Sequence, residues 1–123
     1  MRKAKQILLV EENALLRGTL RDALSGESVT VLEAENGEEG LRVSLREHPD
    51  LILLDILMPK MSGIEMAKRL REDLWGKTAK IIILSNSTDA EKVEQAVECD
   101  IFTYLVKSDI GIDNLLKKVR ETI

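Results

Sequence analysis

Five times over, this chain alternates a short apolar run with a segment whose apolar residues recur at helical spacing. The runs are Gln6 to Val10, Val29 to Ala34, Leu51 to Leu54, Lys80 to Leu84 and Thr103 to Val106. Between them, Asn13 to Leu24 carries a stripe of Leu15, Leu16, Thr19, Leu20, Ala23 and Leu24, and Asp89 to Cys99 carries Ala90, Val93 and Val97. The last segment has Ile112, Leu115, Leu116, Val119 and Ile123 on one face. Asn36 and the acids behind it suit a helix start, and Pro49 stops that helix near Glu47. Ser62-Gly63 opens another helix, with Ile64, Ala67 and Leu70, and residues 25–28 read as a turn. Leu51 to Leu54 is apolar throughout, as a strand covered on both faces must be. Strict alternation of strand and helix predicts an α/β fold, a parallel sheet with helices on both faces and right-handed crossovers.

At 123 residues the chain suits one domain, read here as 1–123, with no linker, repeat or low-complexity tract and nothing left over for an output domain. The net charge of −4 argues against a nucleic-acid surface, which needs a basic excess. No apolar run approaches the ~20 residues of a membrane span. The basic start Met1-Arg2-Lys3-Ala4-Lys5 is followed by too short an apolar stretch, Ile7 to Val10, for a signal peptide. A cytoplasmic protein is expected. Cys99 is the lone cysteine, so no internal disulfide forms, and its helical setting suggests a partly buried thiol.

In an open parallel sheet, ligands bind beyond the carboxyl ends of the strands, where strand order reverses. Strand one ends in Glu11-Glu12, strand three in Asp55, strand four in Ser85 and strand five in Lys107. Taken singly, each has an ordinary explanation. The two glutamates can cap the following helix, Asp55 can end a strand, Ser85 can serve a turn and Lys107 can be solvated. Taken together they suggest chemistry. Three carboxylates in one cleft repel each other, and a divalent cation with oxygen ligands, Mg²⁺, relieves that. A carboxylate can act as nucleophile and form an acyl phosphate. An ammonium and a hydroxyl can then hold phosphoryl oxygens.

The stretches I-L-L-V-E-E-N (7–13), P-D-L-I-L-L-D-I-L-M-P (49–59), S-G (62–63), I-I-I-L-S (81–85) and Y-L-V-K (104–107) resemble response-regulator receiver domains over essentially the whole chain. The resemblance implies a three-layer αβα, (βα)5 flavodoxin-like fold with strand order 2-1-3-4-5. It implies that Asp55 receives a phosphoryl group from a histidine kinase or phosphotransfer protein. Mg²⁺ would be bound by Asp55, Glu12 and the backbone carbonyl of Leu57, with Glu11 acting through metal-bound water. Ser85 and Lys107 would bond the phosphoryl oxygens, and Tyr104 would report the switch. Such a domain is an enzyme only in a limited sense, taking a phosphoryl group onto itself and slowly hydrolysing it.

Some positions depart from the pattern. Glu12 stands where the family nearly always has Asp, Asn86 replaces a small residue, Ser108 replaces a proline, and Asp100 replaces a helix-ending glycine. Phe102-Thr103 stand where paired acids often precede the tyrosine, which counts against the charged dimer face typical of DNA-binding members with winged-helix outputs. Without proline a cis bond costs ~2.5–4 kcal/mol, so a trans Lys107–Ser108 peptide is expected. Glu12 and Asn86 also motivate a second reading, a receiver-fold interaction module not regulated by phosphorylation. A flavin or nucleotide binder is disfavoured, because the acidic, glycine-free loop Glu11-Glu12-Asn13 repels phosphate. A haloacid-dehalogenase-type phosphatase wants an Asp two residues after Asp55, where Leu57 stands.

Ser85 and Lys107 begin the segments that lead into the last two helices. The fourth helix, fifth strand and fifth helix are therefore the expected output surface for a downstream protein or a second copy of the chain. Tyr104 and Phe102 fall on one side of the edge strand, both expected near solvent among polar helix faces bearing Lys92, Glu94, Lys117 and Lys118.

Overall fold

A computed structural model describes residues 4–26, 28–87 and 89–123. The basic Met1, Arg2 and Lys3, and Glu27 of the expected 25–28 turn, lie outside the described residues. The alternation expected from the sequence is present. In chain order, β1 (Lys5–Val10), β2 (Val29–Ala34), β3 (Leu51–Leu54), β4 (Ile81–Ser85) and β5 (Tyr104–Val106) are each followed by a helix. These are α1 (Ala14–Leu24), α2 (Gly37–Glu47), α3 (Gly63–Arg71), α4 (Ala90–Glu98) and α5 (Ile112–Thr122). The strands form one parallel sheet of order β2-β1-β3-β4-β5. β4 begins and ends one residue later than expected, so Ser85 is its last residue rather than the residue after it, and β5 begins one residue later. A short 3-10 turn, Gly76–Thr78, was not foreseen.

Strand pleating sorts the core into two halves. Leu8, Val10, Ile52, Leu54, Ile81 and Ile83 point to one face and pack with Val43 of α2, Met66 and Leu70 of α3 and Ala96 of α4. Ile7, Leu9, Leu51, Leu53, Ile82 and Leu84 point to the other, against Leu20 and Leu24 of α1 and Leu115 and Val119 of α5. All four residues of β3 are fully buried, which explains their unbroken apolar character.

Helix starts follow local chemistry. The side chains of Asn13, Asn36, Ser62 and Asp89 each accept a backbone N–H of the helix they precede. α2 ends on His48 in the left-handed region (φ 48°), immediately before Pro49. Asp100 also adopts a positive φ, 58°, just past the end of α4. The Lys107–Ser108 peptide is trans, as expected.

Candidate phosphoacceptor site

The strand register assembles the site. Val10 pairs with Leu54, so Glu11 and Asp55 emerge side by side where strand order reverses between β1 and β3. Asp55 N–H donates to the Val10 carbonyl at 3.1 Å, and Glu11 N–H donates to the Ala34 carbonyl at 3.0 Å. Both acidic residues are buried, at 4% exposure for Glu11 and 8% for Asp55. Two carboxylates that close to the core need a counter-charge.

Lys107 supplies it. From the end of β5 its side chain crosses the end of β4, donating to Asp55 Oδ2 at 3.1 Å and to Glu11 Oε1. Burial works against the ammonium, but the hydrogen bonds and charges of Glu11 and Asp55 outweigh it and hold the Lys107 pKa above the usual lysine value. The other oxygens are also engaged. Asp55 Oδ1 accepts the Ile56 N–H at 2.7 Å, and Glu11 Oε2 accepts the Asn13 N–H at 3.0 Å. Helix capping of α1 itself falls to Asn13, whose Oδ1 accepts Leu16 N–H at 3.0 Å.

Glu12 behaves differently from its neighbour. Its side chain is exposed, and among the described residues no three His, Cys, Asp or Glu groups converge as a metal cluster. The structure therefore brings two of the three acids together. Glu11 and Asp55 are hard oxygen donors of the kind Mg²⁺ accepts. Leu57 lies two residues past Asp55 in the loop to α3, with its side chain exposed.

Ser85 is buried at the end of β4, and its Oγ accepts the Ser87 N–H at 3.3 Å. Tyr104 is half-buried against the core beneath α2, α3 and α4, and its hydroxyl donates to the Ser87 carbonyl at 2.7 Å. Burial pushes that hydroxyl above the usual tyrosine pKa, with hydrogen bonding to Ser87 opposing it. Tyr104 and Phe102 thus do not share a solvent-facing position. Phe102 precedes β5 and is 75% exposed, while the Tyr104 ring is drawn inward. Pleat alternation holds only within a strand, and β5 is too short to include residue 102.

Arg17 was not singled out from the sequence. Its guanidinium donates to the Glu11 carbonyl at 2.7 Å and to Glu33 Oε1 at 3.2 Å, fixing the loop that presents Glu11. A basic residue one turn into the helix behind an acidic loop is the signal that marks it. Asn86 and Ser108, both departures from the family pattern, are bonded to each other, the Asn86 side-chain oxygen accepting the Ser108 N–H.

Comparison with known proteins agrees with this fold. The family model for the response regulator receiver domain matches residues 7–120. The chain is 36% identical over 104 residues to the chemotaxis protein CheY of Halobacterium salinarum, covering 85% of each. It is 36% identical over 117 residues to the nitrate/nitrite response regulator protein NarL of Escherichia coli, covering 94% of this chain and 53% of that one. The chain thus spans about half the length of that relative, as it does of the KDP operon regulatory protein KdpE of Escherichia coli, at 49%. Among solved structures, the chemotaxis protein CheY4 of Vibrio cholerae superposes with a TM-score of 0.88 at 26% identity, covering 98% and 99% of the two chains. A response regulator from Chloroflexus aurantiacus gives 0.87 at 27% identity, covering 98% of each. With the register, the buried acid pair and its lysine in place, this chain belongs to the response regulator receiver domain family.

Proposed function

We propose that the chain is a phosphorylation-switched receiver that takes a phosphoryl group onto Asp55 from a histidine kinase or a phosphotransfer protein. One observation carries the reading. Asp55 is a buried carboxylate at the strand-order reversal, with one oxygen on the Ile56 N–H and the other on Lys107. A hydrogen-bonded and partly desolvated carboxylate held in place is a suitable nucleophile. It attacks phosphorus, the O–P bond forms as the donor's P–N bond breaks, and the leaving imidazole keeps the electron pair.

Lys107 then exchanges an Asp55 contact for a phosphoryl oxygen, and the Ser85 hydroxyl donates a hydrogen bond to a second. Asp55, Glu12 and the Leu57 carbonyl would hold Mg²⁺ directly and Glu11 would reach it through water; when bound, the ion would offset the charge of the phosphoryl oxygens. Ser85, Ser87 and Tyr104 form a connected route from the site to β5. Rearrangement of that route would alter the face of α4, β5 and α5, where Val93, Val97 and Phe102 are exposed. A downstream protein or a second copy of the chain would read that face. Among the described residues no helix is long and apolar enough to cross a membrane, and a cytoplasmic location accords with the proposed kinase partner.

The exposed Glu12 side chain favours a second reading, an interaction module that is not switched by phosphorylation. One experiment separates the two. Acetyl phosphate or beryllofluoride with Mg²⁺ is expected to modify the wild type but not Asp55→Asn, as read by intact mass or by NMR. Equal modification of the mutant overturns the assignment of Asp55, and an unmodified wild type favours the second reading.

A further inference from the structure

Ser108 N–H donates to the side-chain oxygen of Asn86 at 2.9 Å. This bond lies one step beyond the last rung of the β4–β5 ladder. Ser85 pairs with Val106 in register, and Lys107 N–H donates to the Ser85 carbonyl at 3.0 Å. Past that rung the backbone ladder between β4 and β5 ends. Residues 107–109 form a turn in which the N–H groups of Asp109 and Ile110 donate to the Val106 carbonyl at 3.0 and 3.1 Å. The Asn86 oxygen supplies an acceptor where the backbone ladder has none left to offer.

We propose that Asn86 is a positioning residue for phosphoryl transfer, tying the loop that carries Ser85 to the loop that carries Lys107. The proposal rests on the reading of Asp55 as phosphoacceptor. Two successive amides, those of Lys107 and Ser108, are tethered to the two successive residues Ser85 and Asn86. The peptide between them cannot turn without breaking one of these bonds, so the α-carbon of Lys107 is held from both sides. A lysine stem has many rotamers, and fixing its base limits the positions open to Nζ. Nζ is the group that meets Glu11 and Asp55.

The residue types are specified as a pair. Alanine at 86 has no acceptor, and proline at 108 has no donor. Aspartate at 86 keeps the acceptor but adds negative charge to an end of the sheet that already carries Glu11, Glu12 and Asp55. The small-residue and proline pattern of receiver domains lacks both halves of this bond, and here both positions differ together.

The test uses the full chain as wild type, Asn86→Ala, Asn86→Asp, Ser108→Pro and the Asn86→Ala/Ser108→Pro double variant. Two quantities are measured: hydrogen exchange of the Ser108 amide without any phosphodonor, and the rate of phosphoryl uptake from acetyl phosphate with Mg²⁺. Asn86→Ala is expected to speed Ser108 exchange and to slow uptake by about two- to tenfold, the loss one neutral hydrogen bond corresponds to. Asn86→Asp should keep the slow exchange. The double variant should take up phosphate no more slowly than the worse single variant, because both remove one bond. Unchanged exchange in Asn86→Ala overturns the tether. Unchanged or faster uptake in that variant, beside an active wild type, overturns the positioning role, and faster uptake would mean that Asn86 only narrows access to Asp55. A wild type that takes up no phosphoryl group instead overturns the reading of Asp55, and this role with it.

Discussion

A β-carbon placed on Gly63 would stand 2.0 Å from the carbonyl oxygen of Asp55. Gly63 N–H also donates to the Ile56 carbonyl at 2.9 Å, so the first residue of α3 is clamped onto the backbone of the loop that begins at Asp55. Its φ is not positive, and the requirement is therefore space rather than backbone freedom. Gly63→Ala forces backbone apart from backbone, where no flexible side chain can give way. A destabilisation of about 1–3 kcal/mol or more is expected in urea unfolding, with slower modification of Asp55 in the fraction that remains folded. A variant as stable as wild type would show that α3 can shift freely against this loop.

Lys107 is the only cation paired with the side-chain carboxylates of Glu11 and Asp55 among the described residues. Lys107→Met keeps the stem but leaves two neighbouring carboxylates without a counter-charge. It should lower stability by on the order of 2 kcal/mol, less than a fully buried pair because the site opens to solvent. Adding Asp55→Asn removes one of the two charges and should restore part of that loss. If the double variant is less stable than Lys107→Met, repulsion between the acids is not what the lysine offsets.

Phe102 is exposed enough that its truncation should change stability by no more than about 0.5 kcal/mol. Phe102→Ala is expected to leave Asp55 modification intact and to weaken association with a partner or with a second copy, read by calorimetry or light scattering. A clear fall in thermal stability with unchanged association would mean instead that the ring covers the end of α4.

The Cys99 thiol is buried at the end of α4, and burial pushes its pKa up. Thiolate is the reactive form, so native protein should be alkylated by iodoacetamide at least about tenfold more slowly than urea-unfolded protein at the same pH. Equal rates would show that this end of α4 opens readily.

Glu12→Asp should strengthen Mg²⁺ binding, because near-octahedral Mg²⁺ favours the shorter arm that receiver domains usually carry. Calorimetric titration is the appropriate measurement. Trp75 stacks on His48, with ring centroids 4.3 Å apart, beside the residues that lead into β1, β3 and β4. That is the amino end of the sheet, opposite Asp55, and tryptophan fluorescence should stay nearly constant on Mg²⁺ addition. Weaker binding in Glu12→Asp would count against the geometric argument.

Periodicity and capping are local properties, and they were readable in the chain. Leu51 to Leu54 had to be a buried strand, Asn36 had to start a helix, and a strand-helix alternation repeated five times leaves little besides a parallel sheet. The placing of Glu11, Asp55, Ser85 and Lys107 at strand ends follows from the same pattern. Which of them meet does not. Lys107 and Glu11 are 96 residues apart, and their contact depends on strand order and register, not on any spacing in the sequence. Glu11 turns inward while Glu12 stays in solvent, in a loop held by Arg17 through its carbonyls. Tyr104 is drawn toward Ser87 and Phe102 is left outside, because β5 starts only at residue 104. The bond between Asn86 and Ser108, and the close approach of Gly63 to Asp55, likewise arise only when separate strand ends and loops are packed together. Side-chain period reports which face a residue occupies within one element, whereas these contacts lie between elements, where tertiary packing sets the distances.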